Sequence, residues 1–309
     1  MNIMILGAGA MGALFGGYLS QHNNVWLVDV DQARVQRIAA QGVRVREQDA
    51  QERLFFPKAV VDSAGLPQMD LVIVFVKAMY TVSALQANRQ TFGPNTYLMT
   101  LQNGAGHESK LLQFADRDHV IIGTTLHNSS ILEDGYVNHG GGGKTCIGLL
   151  GGDSRRIAHI AQTLSDSGFA CTFSDEVRKQ IWDKLFLNTA ASALTAVLQV
   201  PLGFLLDDPF AHDLMRRLVE EAVAVANAEG GASFDVEAVI AHIDEVLANA
   251  RGGYTSIYAD VRAGARSEVD TISGSVVEAA HELHIPVPCH EIVVSLIHAL
   301  EHRMRDNIQ

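Results

Sequence analysis

Basic residues are scarce in this chain. Lysine and arginine number 23 against 35 aspartates and glutamates in 309 residues, a formal net charge of -12 with a pI near 5.5. No long basic run breaks that balance, so neither nucleic acid nor an anionic membrane surface is expected as a partner. Cysteine is scarcer still: Cys146, Cys171 and Cys289 are odd in number, far apart and in no C-x-x-C spacing, which excludes a disulfide framework and fits a reducing compartment. A long uninterrupted apolar run is also missing. Leu185 to Leu206 carries no charge until Asp207, yet Asn188, Thr189, Ser192, Thr195, Gln199, Pro201 and Gly203 break it too often for a membrane span. That stretch reads as a buried helix lining something polar. The apolar N-terminus lacks a basic flank, so it is no signal peptide and the expected location is cytoplasmic. His298 and His302 share a helical face without a third ligand, and no metal site is expected. The remaining composition, 48% hydrophobic and 19% charged, is that of a globular chain long enough for two cores.

What is present begins at once. Residues 3–12, Ile-Met-Ile-Leu-Gly-Ala-Gly-Ala-Met-Gly, set an apolar strand against a G-x-G-x-x-G turn made by Gly7, Gly9 and Gly12. Gly7 permits the tight turn, Gly9 lets backbone approach a pyrophosphate, and Gly12 lets the following helix pack closely with its N-terminus toward the phosphates. A second strand, Val25–Val28, ends at Asp29, placed to bind a ribose 2′-hydroxyl. The pattern predicts a nicotinamide-dinucleotide site. The glycines Gly140–Gly143 before Lys144 and Thr145 do not make a second phosphate loop, because a strand rather than a helix follows; they read as a flexible hairpin connection.

From residue 1 to 175 short apolar runs alternate with helical patterns: Asn2–Leu6, Val25–Val28, Leu71–Val76, Tyr97–Thr100, Val120–Thr125 and Cys146–Leu150 are the expected strands. The alternation predicts a mostly parallel, doubly wound α/β sheet. From 176 to 309 the apolar residues fall at helical spacing, as in Asp213–Glu229, Val236–Ala250 and Val269–Leu283, so the second domain is expected to be all-helical.

Ligands bind beyond the carboxyl ends of parallel strands. Lys77 follows Leu71–Val76 there, and Leu101-Gln-Asn-Gly-Ala-Gly106 follows Tyr97–Thr100. In the second half Lys184, Asn188 and Ser192 recur at i, i+4 and i+8 with Thr195 near the same face. A buried ammonium needs a carboxylate or an anion, and Glu268, in the first turn of a helix that Ser267 would cap, is the candidate. Plainer readings stand beside these: Lys77 as a strand-end charge, Asn103-Gly104 as a turn, Lys184 as a surface lysine, Glu268 as helix capping.

Taken in order, the motifs Gly7–Gly12, Val76-Lys77-Ala78, Leu101–Gly106, Ile181-Trp-Asp-Lys-Leu185 with Asn188, and Thr255-Ser256 followed twelve residues later by Glu268 resemble the ketopantoate reductase family over nearly the whole chain. The resemblance implies an N-terminal Rossmann domain, a helical C-terminal domain and a substrate cleft between them. It implies Lys184 as general acid assisted by Glu268, with Asn103, Asn188, Ser192 and Ser256 toward the substrate. Gly7, Gly9, Gly12, Asp29, Lys77, Asn103 and Glu268 then belong to the cofactor side. It suggests a homodimer, which no residue pattern argues.

Two departures bear on specificity. Ser192 stands where the family usually has an asparagine, and the family typically uses NADPH, whereas Asp29 tilts the choice toward NADH unless Arg34 or Arg37 offsets it. Three readings follow. The first is reduction of 2-dehydropantoate by NAD(P)H to pantoate, for pantothenate and coenzyme A synthesis. The second is an NADH-dependent D-2-hydroxyacid dehydrogenase acting on branched or aromatic 2-keto acids. The third is a non-catalytic dinucleotide-binding regulator, against which the Lys184 proton donor argues.

Overall fold

In the computed structural model, which describes residues 1–104, 106–229 and 233–306, the apolar runs of the first half become the inner strands of a parallel sheet. Strands β1 (Asn2–Leu6), β2 (Asn24–Val28), β3 (Val43–Arg46), β4 (Glu52–Phe55), β5 (Lys58–Val60), β6 (Met69–Val74), β7 (Phe92–Thr100), β8 (Val120–Thr125), β9 (Asn128–Glu133), β10 (Tyr136–Gly141), β11 (Thr145–Leu149) and β12 (Cys171–Phe173) alternate with helices α1 (Ala10–Leu19), α2 (Gln32–Gln41), α3 (Thr81–Ala87), α4 (His107–Leu111) and α5 (Ala158–Asp166). The larger sheet has the order β12-β11-β8-β7-β6-β1-β2-β5, parallel throughout except where β8 meets β11. β1 lies between β2 and β6, the point at which strand order reverses and a crevice opens beyond the strand ends. Ile3, Met4, Ile5, Leu71, Val72 and Ile73 are fully buried, as strands covered on both faces must be.

A second sheet, in the order β4-β3-β10-β9, departs from the sequence reading. Its strands are short and polar on one face, and β9 is mostly exposed, so no apolar run marks them. Helix α1 packs against it, and a polar chain pins the two together: Tyr18 donates to Glu47, whose other oxygen lies 2.8 Å from His139 Nδ1, while His139 Nε2 is 3.0 Å from His127 Nδ1. The glycine run is also corrected. Gly140 and Gly141 belong to β10, and the hairpin turns instead at Gly135, whose φ of +73° needs glycine. A Cβ on Gly140 would lie 2.3 Å from Asn128 Oδ1, and one on Gly143 2.5 Å from Leu126 Cβ. These glycines serve close passage of chain rather than flexibility.

The chain divides into two compact units, Met1–Gln102 with His107–Val177, and Asn103–Gly106 with the chain from Arg178 onward. Asn103, Gly104 and Gly106 thus cluster with the second unit, although the sequence reading groups them with the first 175. The second unit is built of α6 (Val177–Leu198, from its second residue), α7 (Phe204–Asp207), α8 (Pro209–Glu229), α9 (Val236–Asn249), α10 (Ser256–Arg262), α11 (Ser273–Leu283) and α12 (Pro288–Asp306); its described residues contain no strand. Leu218, Val219, Ala222, Val223 and Ala226, at helical spacing, bury one face of α8 in the core. Among the described residues no helix is long and apolar enough to cross a membrane.

Candidate active site

The turn after β1 is shaped by what each glycine omits. Gly7 has φ +98°, and a Cβ there would sit 2.9 Å from Val76 N. A Cβ on Gly12 would fall 1.8 Å from the Gly7 carbonyl oxygen, so the start of α1 can lie this close only without a side chain. Gly9 differs: a Cβ there meets nothing within 4 Å. The protein itself does not require that glycine, and the open space beside the uncapped start of α1 is what an approaching phosphate would use.

Asp29 closes the same turn. Its Oδ2 accepts from Ala8 N at 2.7 Å, its Oδ1 from Asp31 N at 2.9 Å, and Arg34 Nη1 donates to Oδ2 at 3.2 Å. Beside it a cavity of about 400 Å³ is walled by Gly7, Val30, Val61, Val76, Tyr80 and Ala84, among others, with Asp29 and Asp62 as its acids. Apolar walls with a few convergent polar groups are the chemistry of a nucleoside pocket. The turn and this cavity together fit a dinucleotide.

β6 ends at Val74, two residues before the sequence reading placed it, and Phe75 and Val76 run on toward Lys77, which heads a single 3-10 turn, Ala78–Tyr80. Gln102, not singled out from the sequence, fixes this region. Its Nε2 donates to Val76 O at 2.6 Å and to Thr81 Oγ1 at 3.0 Å, and its Oε1 accepts from Thr100 Oγ1 at 2.9 Å. An amide that bonds both strand ends holds the half-buried Lys77 segment relative to β7.

In the second unit, α6 presents Lys184, Asn188 and Ser192 one turn apart. Ser192 is buried, and its carbonyl accepts from Thr255 Oγ1 at 3.3 Å; Thr255 Oγ1 is also 3.0 Å from Thr195 Oγ1 and accepts from Tyr258 N as the cap of α10. The neighbouring Ser256, first residue of α10, is exposed and held to the α6 stripe through Thr255. Burial pushes the Lys184 ammonium down to about 8, and the negative charge of Glu268 works against that fall. Glu268 stands in a turn and not in a helix, since α11 begins only at Ser273. Ser267 does not cap α11: its Oγ accepts from Val269 N at 3.3 Å and donates to Glu301 Oε1 at 2.7 Å. Glu301, buried and invisible as a partner in the sequence, anchors the turn through the Ser267 N–H as well, at 2.8 Å.

The loop Leu101–Gly106 contributes Asn103; its Ala105 lies outside the described residues. Gly104 has φ +99°, and a Cβ there would lie 1.6 Å from Thr271 O, so the loop backbone is pressed against the turn that carries Glu268. Gly7, Gly9, Gly12, Asp29 and the Lys77 segment are therefore gathered in the first unit. Lys184, Asn188, Ser192, Ser256, Glu268 and Asn103 belong to the second. His298 pairs with Asp270 at 2.8 Å, and the described residues contain no cluster able to hold a metal. Burial raises the Cys171 thiol to about 12 and the Cys289 thiol to about 11, which keeps both protonated and poor nucleophiles.

Residues 3–152 match the family model described as ketopantoate reductase PanE/ApbA, and residues 176–301 match that of its C-terminal domain. A 2-dehydropantoate 2-reductase of Halobacterium salinarum is 33% identical over 300 residues, covering 96% of this chain and 98% of that one. Among solved structures, a ternary structure of D-mandelate dehydrogenase with NADH and anilino(oxo)acetate superposes with a TM-score of 0.92 at 30% identity, covering 99% and 100% of the two chains. A PanE/ApbA family ketopantoate reductase from Ralstonia eutropha JMP134 gives 0.89 at 30% identity with the same coverage.

Proposed function

This chain belongs to the ketopantoate reductase family, and on that premise we propose that it is an NAD(P)H-dependent oxidoreductase that reduces the keto group of 2-dehydropantoate to give pantoate. The observation that carries this reading is Lys184: an ammonium lowered to about 8 by burial, with Glu268 opposing the shift. Such a group is charged at neutral pH and still gives up its proton readily.

The reduced nicotinamide, when bound, supplies a hydride to the keto carbon. Lys184 meets the negative charge that builds on the keto oxygen, stabilises it, and donates the proton that completes the alcohol. Glu268 keeps the ammonium charged until that moment. Asn188 and Ser256 would hold the substrate's hydroxyl and carboxylate groups, and Asn103 and Lys77 would contact the cofactor's nicotinamide end and the substrate. Gly9, with open space where a Cβ would stand, would admit the pyrophosphate. Asp29, with an oxygen 2.7 Å from Ala8 N, would receive the 2′-hydroxyl of the adenosine ribose and repel a 2′-phosphate, which supports NADH as the preferred cofactor.

Ser192 supports a second reading. It is shorter than the asparagine usual in the family, which would reshape the pocket toward simpler branched or aromatic 2-keto acids; the D-mandelate dehydrogenase neighbour, solved with NADH, accords with that reading. One assay tests both. Oxidation of NADH and of NADPH is followed by absorbance with ketopantoate, 2-ketoisovalerate, 2-ketoisocaproate and phenylpyruvate. Efficient turnover of ketopantoate is the expected result; NADH-linked turnover of the simpler acids with little on ketopantoate would overturn it in favour of a D-2-hydroxyacid dehydrogenase.

A further inference from the structure

We propose that the hairpin turn between β9 and β10 sets which dinucleotide this chain accepts, by neutralising the arginines of α2 and without touching the ligand. The inference rests on the dinucleotide reading above and identifies Glu133 and Asp134 as specificity-determining positions. α2 carries two guanidiniums, Arg34 and Arg37, one turn apart and just beyond Asp29. A pocket that took a 2′-phosphate would use such cations, because the guanidinium fork matches a phosphate bidentately. Here the Arg34 fork is already engaged, and Arg37 is held through one nitrogen. Arg34 Nε donates to Asp134 Oδ1 at 2.9 Å, Nη1 to Asp29 Oδ2 at 3.2 Å, and Nη2 faces Asp31 Oδ2 at 3.5 Å. Arg37 Nη1 reaches Glu133 Oε2 at 3.4 Å.

The hairpin is seated where it can do this. Gly135, at φ +73°, would place a Cβ 3.1 Å from Ile38 Cγ1 and 3.2 Å from Gly42 O, so the turn rests directly on the end of α2. Arg44 N donates to Gly135 O at 2.7 Å, and β10 pairs in parallel with β3. Four carboxylates, Asp29, Asp31, Glu133 and Asp134, thus surround two guanidiniums and leave two negative charges in excess beside the ribose position. Arg34 also steadies Asp29 for a neutral 2′-hydroxyl. A 2′-phosphate would meet net repulsion and would have to break the Arg34–Asp134 bond before it could use the fork.

The test uses the full chain, wild type, Asp134→Asn, and Glu133→Gln combined with Asp134→Asn. Calorimetric titrations with 5′-AMP, adenosine 2′,5′-bisphosphate, NADH and NADPH read affinity without turnover. The expected result is tighter binding of the bisphosphate and of NADPH, by about fivefold for each charge removed, with 5′-AMP and NADH within about twofold of wild type. A merely structural role would weaken all four ligands together and would overturn the proposal. So would a wild-type preference for NADH that neither variant changes, an outcome that leaves the Asp29 reading intact. A wild type that binds NADH and NADPH equally would overturn the Asp29 reading and the hairpin's role with it. Should Asp134→Asn fail to fold, Glu133→Gln alone, at an exposed side chain, carries the same comparison through Arg37.

Discussion

At the scale of single residues, the site is governed by two kinds of position: side chains whose charge is costly to bury and glycines whose missing Cβ leaves room. Lys184→Ala should lower kcat by about 10²- to 10⁴-fold with little change in NADH affinity, measured by steady-state kinetics beside a binding titration. Because the acid must be protonated, reduction should fall as pH rises through about 8. Glu268 raises that value, so Glu268→Gln should move the falling limb of the pH–rate profile to lower pH. The same lysine has a signature in stability. Its folded value lies below the unfolded one of ~10.4, so the cost of the buried charge is fully present below pH 8 and is relieved as pH climbs toward 10. Lys184→Met should remove that slope and raise stability near pH 7 by at most about 3 kcal/mol, read by denaturant unfolding across pH. The glycines separate by role. Gly12→Ala forces its Cβ against the Gly7 carbonyl and should lower both thermal stability and dinucleotide binding. Gly9→Val, with nothing within 4 Å of its Cβ position, should leave thermal stability unchanged in the absence of ligand and lower dinucleotide affinity alone.

At the scale of elements, the inner strands and the long helices were legible because a fully buried strand is an unbroken apolar run and a packed helix repeats its apolar face every three to four residues. β8 falls at Val120–Thr125 as the pattern predicts. The small sheet was not legible: β3 alternates over only four residues, and β9, Asn-Ser-Ser-Ile-Leu-Glu, exposes nearly all of its length. The start of α11 was misplaced for a different reason. Ser267 has the composition of an N-cap, but Glu301 captures its hydroxyl and N–H from thirty-four residues away, and the turn runs on to Ser273. Between α6 and α10 the cross-link is Thr255. Thr255→Val loses the cap of α10 and the bonds to Thr195 and the Ser192 carbonyl. It should cost about 1–2 kcal/mol in thermal unfolding and, by releasing Ser256, raise KM for the keto acid more than it lowers kcat.

At the scale of the whole molecule, the dinucleotide should act as a stabiliser. NADH at a hundred times its Kd should add about 2.7 kcal/mol to unfolding, seen as a higher melting temperature, and Gly9→Val should lose that gain at equal NADH concentration. The sequence by itself determined a doubly wound sheet followed by helices, the tight glycine turn of Gly7, Gly9 and Gly12, and the polar stripe of Lys184, Asn188 and Ser192. Each is a property of neighbours along the chain, carried by local spacing, helical period or the conformational freedom of glycine. Only the tertiary structure decided that Arg34 is held by Asp134 and Arg37 by Glu133, that the Lys184 ammonium feels Glu268, and that Gly104 presses on Thr271. Those are pairings of segments far apart along the chain, a hundred residues for Arg34 and Asp134. The energy of a charge depends on its burial and on which opposite charge the fold brings beside it, and neither is written in the residues on either side.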